Sequence, residues 1–349
     1  MGNIRAFVEG DFAGVGDTFR LRHAYGQFRD FLAGKTWSVF YDTVAAPEEL
    51  DFEGINGQVN VRQSQIRYFP AIGKNWDLSI ALEDPNAQIS TIDFETGDVT
   101  DAEGVSIQPD FTFSIRKSFK RFSHFKLSAV LRQISARSAV LDRTETESAW
   151  GVNLSGVVPV PKLHKKDNLK FQLIFGDGIG RYINDLNTLS GLDGVFDAEG
   201  KIRTLPVMAA YIAYQHWWTD ALRSSFLYSG VQIDNYSFQP DNSYYKTERV
   251  TGNIVYSPVP RFNVGVELLW GRRTNQDRQD GEAVQMQLTR PPACKLHRRR
   301  KSQRRVTRFQ SARKSLTNPT RYASVEFEHP STYNPQGLGR HSCLTLPRR

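Results

Sequence analysis

The sequence predicts an all-β chain folded as a transmembrane antiparallel β-barrel. Three observations carry this. Apolar and polar side chains alternate with a period of two through most of the first 288 residues. The connections between these stretches are alternately long and short. The polar face of most stretches carries an Arg, Lys, Glu or Asp, which suits a water-filled bore. Helical periodicity is nowhere sustained, and no run of about 18 apolar residues exists to form a transmembrane helix.

Fourteen stretches read as strands. "IRAFVEGDF" (4–12) sets Ile4, Ala6, Val8 and Phe12 opposite Arg5, Glu9 and Asp11. "FRLRHAYGQF" (19–28) sets Phe19, Leu21 and Tyr25 against Arg20 and Arg22. "FLAGKTWSVF" (31–40) and "VRQSQIRYF" (61–69) follow, the second with Gln63, Gln65 and Arg67 on one face and Ile66 and Tyr68 on the other. "WDLSIALED" (76–84) alternates most regularly. The remaining stretches are 110–117, 125–133, 150–156, 169–176, 207–218, 222–230, 249–257, 261–271 and 283–288. Long connections are expected at 44–57, 85–108, 136–148, 181–204 and 234–246, with short turns at 29–30, 71–75, 120–123, 162–167, 219–221 and 258–261. Outer-membrane barrels show this asymmetry, with short periplasmic turns and long extracellular loops.

Fourteen strands enclose more space than side chains fill, because about eight already suffice. The apolar row is therefore expected to face lipid and the ionic row to surround water. Hydrocarbon leaves no strand edge unpaired, which calls for closure. Aromatics near strand ends, such as Trp76, Trp150, Trp217, Trp218 and Trp270, suit interfacial girdles. The alternative is a soluble β-sandwich, which the loop asymmetry and the ionic row oppose.

The composition changes after residue 288. Residues 290–349 hold 15 of the 45 Lys and Arg and only 2 of the 37 Asp and Glu, a net of +13, so the body is at −5 although the whole chain is at +8. Both cysteines, Cys294 and Cys343, lie in this segment; a cysteine-free body suits an exported bacterial protein. The division expected is a barrel over 1–288 and a disordered basic tail over 289–349, arising from a shifted reading frame or a fusion. No signal-peptide pattern precedes the first strand, so the chain is expected to begin inside the fold. "RRRKSQRR" (298–305) by itself would attract nucleic acid or an anionic surface. No aromatic platform accompanies it, and no specific nucleic-acid role is expected.

Other motifs are weak. "GDGIG" (176–180) lacks phosphate-loop spacing. His23 and His216 have no partner ligands in sequence, and "DFETGDVTDAEG" (93–104) lacks ordered calcium-loop spacing. Neither metal, cofactor nor catalytic constellation is expected, and the chain does not read as an enzyme.

"FRLRHAYGQFRDFLAGKTWSVFYD" (19–42) and "PEELDFEGINGQVNVRQSQIRYF" (47–69) together resemble the DcaP-type porins of Gram-negative bacteria. The resemblance extends over about residues 1–288. It implies an outer-membrane barrel of sixteen strands, of which about fourteen are present here, assembled as a homotrimer for passive uptake of small anionic solutes such as dicarboxylates. The family's N-terminal segment and first strands have no counterpart here, and neither does a terminal aromatic strand.

The resemblance makes 41–58 the loop that narrows the channel. Flanking strands would supply the cations Arg20, Arg22, Lys35 and Arg67, with Asp42, Glu48, Glu49, Asp51 and Glu53 of the loop opposite them. Such opposed rows would set a transverse field across the constriction. Arg5, Glu9, Arg116, Lys126, Arg132, Lys170 and Arg223 would line the bore elsewhere. The plainer alternative is that these arginines are solvated wall charges paired to the loop acids. A barrel without useful conductance is a further one.

Overall fold

The computed structural model describes residues 4–289, apart from 15, 17, 121, 188, 190, 191 and 261, together with 323–327. The strands are β1 (Ile4–Asp11), β2 (Arg20–Phe28), β3 (Phe31–Trp37), β4 (Arg62–Tyr68), β5 (Trp76–Glu83), β6 (Ile89–Ile92), β7 (Val99–Asp101), β8 (Asp110–Ser118), β9 (His124–Ser138) and β10 (Arg143–Pro159). They continue as β11 (Asn168–Asp177), β12 (Gly194–Phe196), β13 (Ile202–Thr204), β14 (Pro206–Trp217), β15 (Leu222–Ile233), β16 (Tyr244–Val259), β17 (Phe262–Asn275), β18 (Asp280–Thr289) and β19 (Ala323–Phe327). Among the described residues, helix is confined to a 3₁₀ turn at Gly180–Tyr182 and one short α-helix, α1 (Asn184–Asn187).

One antiparallel sheet takes fifteen of these strands in chain order, β1-β2-β3-β4-β5-β8-β9-β10-β11-β14-β15-β16-β17-β18-β19. The fourteen stretches expected from alternation are its first fourteen strands. Antiparallel neighbours need only short turns, which is why sequence order and spatial order coincide. The sheet is open: among the described residues, β1 pairs with β2 and β19 with β18, and these two ends do not pair with each other. A second sheet, β13-β12-β6-β7, is built from the two longest connections. The basic run at 298–305, Cys294 and Cys343 lie outside the described residues.

Exposure follows the pleat. On β15, Phe226 is 58 % exposed and its neighbour Leu227 is 4 %. Ile66, Leu82, Leu127, Leu154, Ile212, Ile254, Leu268 and Val284 repeat the outward row around the sheet. A continuous apolar belt of this kind belongs against lipid.

Three details depart from simple alternation. Glu9 pairs with His23 but Gly10 pairs with Leu21, so Arg22 is an extra residue on β2. This bulge keeps Arg20 and Arg22 on the inner face and then turns Tyr25 inward as well, opposite Phe7, where unbroken alternation placed Tyr25 outward. The long connection expected at 136–148 is a tight turn at 139–142, because β9 and β10 remain paired from Val157↔His124 out to Arg143↔Ser138. Both faces there are polar (Thr144, Glu145, Thr146, Glu147), so hydropathy gives no strand signal although the backbone ladder continues. The inner face is also less ionic than expected. Val130, Ile174, Val207, Ala209, Val231 and Ile233 face inward and pack on Phe40, Tyr182, Ile183 and Leu186 of two inward segments.

Leu268 lies in the middle of β17 on the lipid row. Leu268→Arg is expected to lower the free energy of unfolding in bilayers by about 2–4 kcal/mol, whereas Thr251→Ser, on the inner face, is expected to change it far less. Urea titration of vesicle-folded protein measures both.

Candidate pore constriction

The 38–61 connection does not stay outside the barrel. Its neck closes where Ser38 N–H donates to the Val61 carbonyl at 3.1 Å. From there the chain lies along the inner wall and meets successive strands. Lys126 Nζ on β9 donates to the carbonyls of Val39 (2.8 Å) and Tyr41 (2.6 Å). Asn153 Nδ2 on β10 donates to the Phe40 carbonyl at 2.8 Å. Lys170 Nζ on β11 donates to the Ala46 carbonyl at 2.6 Å, and Tyr211 Oη on β14 to that of Ala45 at 3.1 Å. At Gly57 a Cβ would sit 2.6 Å from the Ala210 carbonyl oxygen and 2.7 Å from that of Gly230, so only glycine lets the loop lie this close to β14 and β15.

The loop carboxylates complete the attachment. Asp42 is buried and accepts from His124 Nε2 at 2.7 Å and Ser155 Oγ at 2.8 Å. Glu48 is gripped by the Arg223 guanidinium and accepts from Gln215 Nε2 at 2.9 Å. Arg249 holds both Glu49 (2.7 Å) and Asp51 (3.0 Å). Glu267, fully buried on β17, turns its carboxylate onto the backbone N–H groups of Leu50 (2.9 Å) and Asp51 (3.0 Å). Gln287 on β18 donates to Asp51 at 2.9 Å.

The second inward segment, residues 178–205, locks onto this loop. Asn184 Nδ2 donates to the Glu53 carbonyl at 2.7 Å, and Asn60 N–H donates to the Tyr182 carbonyl at 3.0 Å. Arg132, expected in the bore, is instead fully buried beneath this segment. It pairs with Asp110 (3.3 Å) and Asp193 (3.1 Å) and donates to the Gly178 and Asn86 carbonyls. Tyr182 Oη donates to Asp110 at 2.7 Å, and Gln63 donates to Glu83 and to Tyr182 Oη. Buried ionic groups survive only when satisfied in this way.

The remaining candidates divide. Arg20 makes two hydrogen bonds to Asp11, at 3.0 and 2.9 Å, and lies 5.8 Å from the centre of the Phe52 ring at the loop tip. Arg22 bridges Asp11 (2.9 Å) and Glu9 (3.2 Å). Arg67 faces inward, donating to Gln65 Oε1 at 2.9 Å and to the Trp37 carbonyl. It shares a cavity of about 270 Å³ with Arg116, Lys126, Asp42 and Asp77. Arg116 pairs with Asp77 at 2.7 Å. Arg5 is exposed at the β1 edge, 5.7 Å from the Phe7 ring centre. Lys35 does not join the group. It stands opposite Ala24 and Ser64, in the row of Ala33 and Ile66, which is the outer face. The loop acids likewise do not face Arg20 and Arg22 as opposed rows. Asp42, Glu48, Glu49 and Asp51 turn to the β9–β18 wall, where buried carboxylates find donors; Glu53 remains exposed near Arg20.

Two important residues were not among the candidates. Arg249 lies on the inner parity of a recognised strand, and that parity was the available signal. Arg62 sits at the start of β4 on nominally outer parity, yet its guanidinium folds over Trp37 at 4.4 Å, which alternation hides. Its Nη1 is buried without a hydrogen-bond partner. His23 bonds Thr36 at 3.0 Å and His216 bonds Asp167 at 2.8 Å, so both are satisfied within the wall.

An open antiparallel sheet with an apolar outer belt and an inward, wall-bound loop defines an outer-membrane β-barrel channel. The family model described as DcaP outer membrane protein matches residues 1–290, and the chain belongs to that family, a porin of the outer membrane. Its structure is similar to the crystal structure of the outer membrane channel DcaP of Acinetobacter baumannii, with a TM-score of 0.70, 20 % identity, and coverage of 82 % of this chain and 79 % of that one. It is also similar to an anion-selective porin from Comamonas acidovorans, with a TM-score of 0.52, 9 % identity and 82 % of each chain covered. No curated protein matches the sequence.

Protonation sets how firmly the loop is held. Burial alone would raise the Asp42 carboxyl, but the hydrogen bond from His124, the Lys126 and His124 charges and the Ser155 hydroxyl outweigh it and hold it well below the usual carboxylate range. Its contribution is therefore full above about pH 4 and is lost as pH falls through the depressed value. Glu49 is opposite in sense. Burial pushes it up to about 8, with Arg249 pulling down and Glu267 and Asp51 pushing up. Its proton favours the docked loop, so docking weakens as pH rises from about 4.5 to about 8. Loop attachment is expected to be firmest near pH 4–5. Limited proteolysis of the loop across pH measures this; Glu49→Gln should flatten the alkaline limb and Asp42→Asn the acid limb. Arg249→Met leaves the Asp51 carboxylate without its cation and Glu49 without its guanidinium donor, and is expected to cost about 3–5 kcal/mol, read as loop cleavage at neutral pH in a barrel that still folds.

Proposed function

We propose that this porin passes small anionic, dicarboxylate-like solutes by passive diffusion between loop 38–61 and the β1–β5 wall, as a homotrimer. What carries the reading is the division of charge across that space. On one side the acids Asp42, Glu48, Glu49 and Asp51 are already engaged by His124, Arg223 and Arg249. On the other, Arg20, Arg22 and Arg62 gather near the carboxylates of Glu9 and Asp11, and Arg67 lies further along β4 beside Arg116 and Lys126. Arg67 donates to neutral oxygens, and Arg62 retains a donor nitrogen without a hydrogen-bond partner.

A carboxylate entering this side exchanges part of its hydration for the planar, two-pronged donor geometry of guanidinium. The rings of Trp37 and Phe52, 4.4 and 5.8 Å from the guanidinium carbons of Arg62 and Arg20, add cation–π attraction that uses no N–H group. Release stays fast because Arg20 and Arg22 are also bonded to Asp11, so solute competes with a resident carboxylate at each step. A channel needs binding favourable enough to admit the solute and weak enough to let it leave.

Reversal potentials in planar bilayers under a KCl gradient test this. The wild-type chain is expected to prefer chloride, and Arg20→Ala with Arg22→Ala to shift the potential toward the cation side, with Arg62→Ala adding to the shift. An unchanged anion preference in the triple variant would remove these arginines from the selectivity role. Absence of conductance from folded protein would favour a barrel closed by its two inward segments.

A further inference from the structure

The short-turn end of the barrel carries a built surface that solute passage does not use. Residues 119–123 join β8 to β9, and residues 160–167 join β10 to β11. Because β9 and β10 pair through Gly156↔Phe125 and Val157↔His124, these two turns stand side by side. Their tips expose Phe119, Phe122 and Leu163, the last at 76 %. Lys120, Lys162 and Lys165 are exposed between them, and among the described residues none of the three has an ion-pair partner within 4 Å. Lys166 is different: Asp220 holds its ammonium at 2.8 Å, and it lies 4.4 Å from the Trp217 ring centre.

The outer wall beneath these lysines is an aromatic groove. Gly156 has no side chain, and a Cβ there would lie 3.0 Å from the Phe171 ring and 3.1 Å from the Phe125 ring. The two rings close over it with centroids 5.9 Å apart, and Phe119 meets Phe125 edge-on at 5.9 Å. Apolar rings thus run from the turn tips down the lipid-facing wall. The 85–109 connection, at the opposite end, has five Asp and Glu and neither Lys nor Arg.

We propose that these two turns and the groove below them bind an anionic phospholipid of the membrane leaflet at the short-turn end. The phosphodiester sits among Lys120, Lys162 and Lys165, and the acyl chains lie along Phe119, Phe125 and Phe171. A negative headgroup without a compensating ammonium suits three lysines that no carboxylate meets within 4 Å, although Asp220, held by Lys166, also acts on Lys165 through space, and the exposed rings beneath need hydrocarbon rather than water. A soluble anion would use the lysines and leave the groove empty, so both parts together select a lipid.

Native mass spectrometry of the full chain, released from micelles holding equimolar phosphatidylglycerol and phosphatidylethanolamine, tests the proposal. Retention of phosphatidylglycerol at least fivefold above phosphatidylethanolamine is expected. Lys120→Gln with Lys162→Gln and Lys165→Gln should bring the two to parity, while Arg143→Gln with Lys201→Gln and Arg278→Gln, at the other end, should leave the preference intact. Glycerol phosphate, the headgroup without chains, should not be retained. Equal retention of both lipids by wild type, a preference surviving the triple lysine variant, or retention of glycerol phosphate would each overturn it.

Discussion

A loop that turns back into a barrel takes its peptide groups out of bulk water, and each must find a partner there. The rest of the interior depends on how the β9–β18 wall meets that demand. Lysines donate to loop carbonyls, one buried glutamate accepts two loop N–H groups, and arginines take the loop carboxylates. Every wall strand from β9 to β18 supplies at least one contact. The loop is consequently tied mostly to one side, with Val39 N–H to Glu83 on β5 and Phe52 beside Arg20 on β2 as its links to the other. Charges pointing to the wall are taken up by attachment, whereas Arg20 and Arg22 of β2 pair with Asp11 and Glu9 of β1.

The second inward segment adds hydrophobic burial to these polar ties. Tyr182, Ile183 and Leu186 pack with Phe40 and with the inner-facing Val130, Ile174 and Val207. A bore this wide cannot be filled from its own strands, so two connections enter it with a small core of their own. Arg132 shows the electrostatic counterpart: a buried cation is tolerable there because Asp110 and Asp193 flank it and two carbonyls accept its remaining protons.

Strand number and facing were legible in the sequence because lipid on one side imposes period two on every span. The same rule failed wherever its cause was missing. Beyond the bilayer, β9 and β10 are polar on both faces and read as loop. At the β2 bulge one extra residue reverses facing from His23 onward. Lys35 was assigned inward by its charge although its position is on the outer row; charge type is a weaker guide than register. The inward path of the loop was anticipated through family resemblance, but its pairing partners were not, since Glu49 and Arg249 are brought together by a fold spanning 200 residues. Arg249 was on the correct parity and passed over because nothing local marks it.

The β9–β10 ribbon leads to a different consequence. At roughly 3.4 Å per residue, its 15 and 17 residues exceed what a tilted crossing of an apolar band about 25 Å tall requires. The surplus stands above the surface as paired backbone rather than as slack chain. The rim on that side of the mouth is thus stiff in the mechanical sense. Its amides are tied into the same ladder as the spans below, so they should exchange with deuterium on the slow timescale of the wall, and the aperture they edge keeps its outline through thermal motion.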